Sequence, residues 1–205
     1  MRHIRTQDVL DLAELLAAPC YAHVEFNIEG NPYAGPEGEY PGFMALVEAT
    51  RPSQATLVPD DPSQLTSDHG WDLKGQMNEL QGLIAELQSW HVRVSLFMDS
   101  DVAQIAQAAR LGVERIELYT GPFADSWGSN AEEEVFKEFY QAAEAAQREG
   151  LTLNAGHDLN LDNLAQFATV PGLAEVSIGH AIVSDALFRG LATVVADYKA
   201  ILMRT

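Results

Sequence analysis

Two segments in the last third of the chain join an apolar run to a glycine and a histidine. They read Leu153-Asn154-Ala155-Gly156-His157-Asp158 and Val176-Ser177-Ile178-Gly179-His180-Ala181. Each is read as a strand that ends in Gly-His and passes into a helical segment. An imidazole at such an exit gives and takes protons near neutral pH. Either histidine alone reads as a packed core residue. Two of them, both after glycine and both at strand exits, point to function. The Ile178-Gly179-His180 turn has a second use: a glycine ahead of a helix lets backbone N–H groups close on an anion that the helix dipole also favours. Glu29 is the third candidate. It follows the apolar run into Phe26-Asn27-Ile28 and precedes Gly30 to Pro41, which holds three glycines and three prolines. A carboxylate buried there has a raised pKa and can act as a general base.

The elements that must hold these groups alternate along the whole chain. Strands are expected over Tyr21 to Ile28, Gln54 to Val58, Val92 to Met98, Arg115 to Leu118, Leu151 to Asn154 and Glu175 to Ile178. Most are nearly continuous apolar runs, as in a parallel sheet covered on both faces. Helices are expected over Thr6 to Ala17, Gly42 to Ala49, Asp72 to Trp90, Asp101 to Leu111, Ala131 to Arg148, Asp162 to Ala168 and Asp185 to Met203. Asn130, Asp162 and Ser184 read as helix starts, and Gly112 and Gly150 as the glycines that close helices. Repeated β-α alternation with short joints gives an α/β fold with a parallel sheet. Ionisable or polar groups recur just past the strands: Glu29, Asp60-Asp61, Asp99, Glu117 with Thr120-Gly121, His157-Asp158 and Gly179-His180. Open parallel sheets and barrels both bind ligands at that end. Asp60, Asp61 and Asp99 read more simply as caps of the next helices. His69 reads as a loop residue beside Trp71, and His23 and His91 as structural.

Composition narrows the partners. The 205 residues carry 30 acidic and 12 basic side chains, a formal net charge of −18. Such a field disfavours nucleic acid and anionic membrane surfaces. The single cysteine, Cys20, cannot form an internal disulfide, and no apolar run of membrane-spanning length is evident. A cytoplasmic single domain spanning residues 1–205 is expected. Six strands are found where a complete (β/α)₈ barrel has eight, and such barrels typically run to about 250 residues.

Taken together, the blocks along the chain resemble the pyridoxine 5′-phosphate synthase family, which closes the ring of vitamin B6. The resemblance rests on Arg2-His3-Ile4 with Gln7-Asp8-Val9, Phe26-Asn27-Ile28-Glu29-Gly30-Asn31-Pro32, and Thr56-Leu57-Val58-Pro59-Asp60. It continues through Leu65-Thr66-Ser67-Asp68-His69-Gly70-Trp71-Asp72, Val94-Ser95-Leu96-Phe97-Met98-Asp99, Ile116-Glu117-Leu118-Tyr119-Thr120-Gly121, Asn154 to Asn160, and Glu175 to Ala181. Any one block is weak; their number and order make the assignment specific.

The resemblance implies a (β/α)₈ barrel of the TIM type, here with about six of its strands, in a family that assembles into octamers. It implies condensation of 1-deoxy-D-xylulose 5-phosphate with 3-amino-2-oxopropyl phosphate, with release of phosphate and water and no metal or other cofactor. Glu29 is then a general acid/base of ring closure and His157 a proton donor. Thr66, Asp158, Gly179 and His180 hold substrate or phosphate, His3 contacts the sugar phosphate, and Glu117 lines the pocket. In that family the Arg-His-Ile block follows the second strand. The first two βα units, with an Asn-Ile-Asp-His motif, a substrate-binding arginine and a His-x-Arg pair, therefore have no counterpart expected in these residues. A longer protein read from an internal methionine is one account. A shortened variant that pairs its open edges with another subunit is the other. Two further classes stay open: a non-catalytic, phosphate-binding or assembly remnant of the family, and a metal-dependent isomerase or aldolase barrel using Glu29, Asp99, His157 and His180.

Overall fold

The computed structural model describes residues 4–61, 64, 66–75 and 77–203. Six parallel strands form one sheet in strict chain order: β1 Asn27–Gly30, β2 Gln54–Leu57, β3 Arg93–Met98, β4 Arg115–Tyr119, β5 Thr152–Gly156 and β6 Leu173–Ser177. Helix α1 (Thr6–Leu16) precedes β1. The crossovers carry α2 (Phe43–Thr50), α3 (Met77–Ser89), α4 (Val102–Arg110), α5 with α6 (Gly121–Ser126, Glu132–Arg148) and α7 (Leu164–Phe167), and α8 (His180–Arg189) and α9 (Leu191–Leu202) follow β6. This is the expected repeating α/β architecture with about six strands.

The strands alternate more strictly than the nearly continuous apolar runs expected of them. Side chains at every second position face one side. Ile28, Ala55, Leu57, Val94, Leu96, Met98, Ile116, Leu118, Leu153 and Ala155 join the buried core shared with the helices. Most of the intervening positions are polar, Phe97 and Leu173 being exceptions, and several touch one another: Gln54 with Thr56, Thr56 with Asn27, Asn27 with Glu29, and Glu29 with Ser177. The last contact links the first strand to the sixth. The sheet is therefore curled, with a polar concave face and an apolar convex face under the helices. Near the amino ends of the strands the concave face is closed by charge pairs. Arg93 meets Glu25 and donates to Gln54 Oε1 at 2.9 Å, and Arg115 pairs with Glu175 at 2.8 Å.

Behind the sheet, α6 lays Phe139, Ala142, Ala143, Ala145 and Ala146 into the core. The small alanines let the helix approach closely, and Phe139 meets Phe123 of α5 and Phe167 of α7. Ring centroids lie 5.2 Å apart for Phe123–Phe167 and 5.5 Å for Phe139–Phe167, with all three side chains fully buried. Tilted and edge-on aromatic pairs add about 0.5–1.5 kcal/mol beyond the burial itself.

Several helix boundaries differ from expectation for local reasons. The segment expected as one helix from Asp185 is two, because Gly190 at φ 81° turns the chain between α8 and α9. A helix opening at Ser184 is thereby corrected, since α8 begins at His180. Helix α3 begins at Met77, later than expected, because Asp72 accepts from Lys74 N and Gln104 Nε2 and the preceding residues form turns. Asn130 does not cap α6; Ser129 Oγ accepts from Ala131 N, and Glu132 reaches back to Gly128 N at 2.7 Å. Asn160 Oδ1, not Asp162, accepts from the backbone ahead of α7. Asp99 is no helix cap either. Its Oδ1 accepts from Gly70 N, while Asp101 caps α4 through Ala103 N and Gln104 N. Gly112 and Gly150 take φ 84° and 79° beyond α4 and α6, as expected of closing glycines.

Candidate active site at the carboxyl ends of the strands

Glu29 is the next-to-last residue of β1 and points to the concave face, where Asn27 Nδ2 donates to its Oε1 at 2.9 Å. Crowding by protein atoms, and after it the charge of Glu175, push its carboxyl above the ordinary range. Ser177, Asn27 and the neighbouring His157 oppose the rise. The side chain still reaches solvent, which limits the effect. Glu117, in the middle of β4, is only 1% exposed. Burial, then the charge of Glu29, drive its carboxyl well above the usual range. A protonated Glu117 can donate a hydrogen bond, and its buried Oε2 has no hydrogen-bond partner among the described residues. Gly156 makes room for it: a Cβ there would lie 2.2 Å from Glu117 Oε1.

His157 leaves β5 beside these carboxyls. Its Nε2 lies 2.9 Å from Thr66 Oγ1, its Nδ1 lies 2.8 Å from Asp158 Oδ2, and the Tyr119 ring meets it edge-on at 5.2 Å. The turn is fixed from β4, because the Thr120 hydroxyl donates to the carbonyls of Gly156 and His157. Thr66 comes from the loop after β2. That loop is tied down by Trp71 Nε1 donating to Leu57 O, Trp71 N to Phe97 O and Ser67 Oγ to Asp60 Oδ2. Gly70 is required there, since a Cβ would lie 2.3 Å from Asp99 N.

The fold therefore brings Glu29, Glu117, His157, Asp158 and Thr66 to one end of the concave face. Gly179 and His180 stand at the amino end of α8, where both are exposed and the first-turn N–H groups lack helical acceptors. No hydrogen bond joins them to His157 among the described residues. His3 lies outside the described residues. Asp158, expected to hold substrate, spends its carboxylate on the His157 ring. His69 pairs with Asp68. The set Glu29, Asp99, His157 and His180 is not assembled as a metal centre: among the described residues no three His, Cys, Asp or Glu side chains are grouped to hold an ion. Reading only the residue after each strand overlooks Thr56, Ser95, Tyr119, Asn154 and Ser177. Their signal was the polar residue at every second position within the strands. A separate hollow of about 360 Å³, lined by Tyr33, Trp71, Lys74 and Leu80 among others, holds none of the candidate side chains.

Six parallel strands in order, curled about a polar interior with ionisable groups at their carboxyl ends, define a partial barrel of the (β/α)₈ class. Solved structures share the architecture at low identity. A thiamine phosphate pyrophosphorylase from Pyrococcus furiosus superposes with a TM-score of 0.61 at 9% identity, covering 100% of this chain and 80% of that one. The trehalulose synthase MutB R284C mutant gives 0.56 at 8% identity, over 86% and 55%. The family is settled by sequence. The model of the family described as pyridoxal phosphate biosynthesis protein PdxJ matches residues 1–204, and the chain belongs to that family. The pyridoxine 5′-phosphate synthase of Xanthomonas axonopodis pv. citri (strain 306) is 51% identical over 202 residues, covering 98% of this chain and 78% of that protein. The enzyme of the same name from Xylella fastidiosa (strain 9a5c) is 50% identical, over 98% and 76%. No described helix is long and apolar enough to cross a membrane.

Proposed function

We propose that the chain is a pyridoxine 5′-phosphate synthase, condensing 1-deoxy-D-xylulose 5-phosphate with 3-amino-2-oxopropyl phosphate by acid–base catalysis in the cytoplasm. The observation that carries the reading is 51% identity to a synthase of that name across 202 residues. The site supports it chemically. Imine formation, phosphate elimination and aromatising ring closure all proceed through proton transfers. Glu29, with its carboxyl raised above the ordinary range by crowding, exchanges protons as general acid/base, and His157 donates them from beside Thr66. Glu117, its carboxyl biased toward the protonated form by burial, can donate a hydrogen bond to developing negative charge. The amino end of α8 at Gly179–His180 receives a phosphate through first-turn N–H groups, which act locally despite the acidic net charge.

Self-association is part of the same proposal. Helix α8 and the start of α9 expose Val183, Leu187, Phe188 and Leu191, with Phe188 92% accessible. Strands β1 and β6 each have one strand neighbour. Contiguous exposed apolar side chains and unpaired edges favour association. The test is phosphate release and pyridoxine 5′-phosphate formation by the purified 205-residue chain given both substrates. Turnover is the expected result. Its absence in folded protein reduces the chain to a non-catalytic, phosphate-binding or assembly form of the family.

A further inference from the structure

We propose that Asp158 is a positioning residue that fixes the tautomer of His157, so that Nδ1 always carries a proton and all proton exchange with substrate passes through Nε2, beside Thr66. The inference rests on the synthase reading for its kinetic consequence and on geometry for the rest. Asp158 Oδ2 lies 2.8 Å from Nδ1, and a carboxylate there accepts from an N–H and cannot donate. Thr66 Oγ1 lies 2.9 Å from Nε2. With Nδ1 protonated, the threonine hydroxyl donates to Nε2 in the neutral ring and accepts from it in the charged one. The same atom is thus the proton carrier in both states.

The backbone argues that this contact is held for a purpose. His157 and Asp158 take φ 91° and 58°, consecutive left-handed conformations that glycine adopts without steric penalty. A glycine at position 158 would relieve the turn and lose only the carboxylate. The other side chains around the ring leave Nδ1 to Asp158: Tyr119 presents an edge contact, and Thr66 occupies Nε2.

Three variants separate positioning from structure. Asp158→Gly is expected to melt at or above the temperature of the unsubstituted chain, yet to lose at least about tenfold in kcat with a smaller change in KM, because the ring is free to take the wrong tautomer. Asp158→Ala should lose as much. Asp158→Asn keeps the size, but its amide can turn to donate an N–H to Nδ1 and stabilise the opposite tautomer, so kcat should fall at least as far as in Asp158→Gly. Side-chain ¹⁵N spectra of His157 read the tautomer without any turnover. Nδ1–H should dominate in the unsubstituted chain and give way to Nε2–H in Asp158→Gly and Asp158→Asn. An Nδ1–H tautomer retained in Asp158→Gly overturns the proposal, and so does full kcat with the tautomer shifted. If the unsubstituted chain shows no turnover, the synthase reading fails and the ¹⁵N spectra alone decide the His157–Asp158 pairing.

Discussion

Glu29 on the first strand and Ser177 on the sixth approach to 3.5 Å across 148 residues of chain. The register carries the link on: Ser177 stands beside Gly156 in the sheet, and Gly156 lies against Glu117. Two carboxyls from β1 and β4 are thereby placed in one polar recess. The charge of Glu29 adds to burial in raising the Glu117 carboxyl, while Glu29 itself is raised by crowding and then by the charge of Glu175. A site with carboxyls biased toward the neutral form suits a reaction made of successive proton transfers.

Glu29→Gln keeps the size and the hydrogen bond to Asn27 but cannot exchange a proton. Its kcat for pyridoxine 5′-phosphate formation should fall by about 10²–10⁴-fold, and His157→Ala should fall by a similar factor. Steady-state kinetics check this, and near-normal turnover removes the residue concerned from the mechanism.

Glu117 sets a pH dependence of stability. Its folded carboxyl titrates well above the ordinary value of 4.5, so the folded state binds the extra proton. Relative stability from this group is fully present below the unfolded pKa and declines as pH rises through the folded one. Urea unfolding should show Glu117→Gln gaining stability relative to the unsubstituted chain as pH rises from about 4.5 toward and above neutrality. Parallel stability curves for the two proteins across that range would contradict the burial of a protonated carboxyl.

Gly156→Ala tests the packing beneath the site. The added methyl would sit 2.2 Å from Glu117 Oε1 and 3.0 Å from Ser177 Cβ. A loss of about 1–3 kcal/mol in chemical denaturation is expected, accompanied by reduced turnover as the carboxyl is displaced.

Phe167→Ala empties the centre of the aromatic cluster with Phe123 and Phe139 and touches none of the candidate catalytic groups. Stability should drop by about 3–5 kcal/mol, measured by thermal or urea unfolding. A drop below about 1 kcal/mol would mean that the cluster relaxes around the cavity.

Phe188→Glu, made together with Leu187→Glu, places charge on the most exposed apolar part of α8. Light scattering should show the unsubstituted chain as an oligomer and the double variant shifted to smaller species. A monodisperse monomer for the unsubstituted chain would refute self-association through this face.

The alternation of strands and helices was legible in the amino-acid sequence because it follows from local patterning. Apolar strand positions such as Val94, Leu96 and Met98 must be covered, and Gly112 and Gly150 mark where helices close. The Gly-His exits at positions 156–157 and 179–180 were legible for the same reason, as was the family, through blocks spread over the chain. Only the tertiary structure decided which side chains meet. Thr66 reaches His157 across 91 residues because the loop after β2 is fastened to the ends of β2 and β3, and nothing local to Thr66 encodes that contact. The curl of the sheet turned residues within strands, among them Glu117, Asn154 and Ser177, into an interior, whereas a flat sheet would have kept β1 and β6 apart. Asp158 shows the difference most simply. Its identity and place after His157 are in the sequence, but its bond to the ring depends on two left-handed backbone angles that the fold imposes.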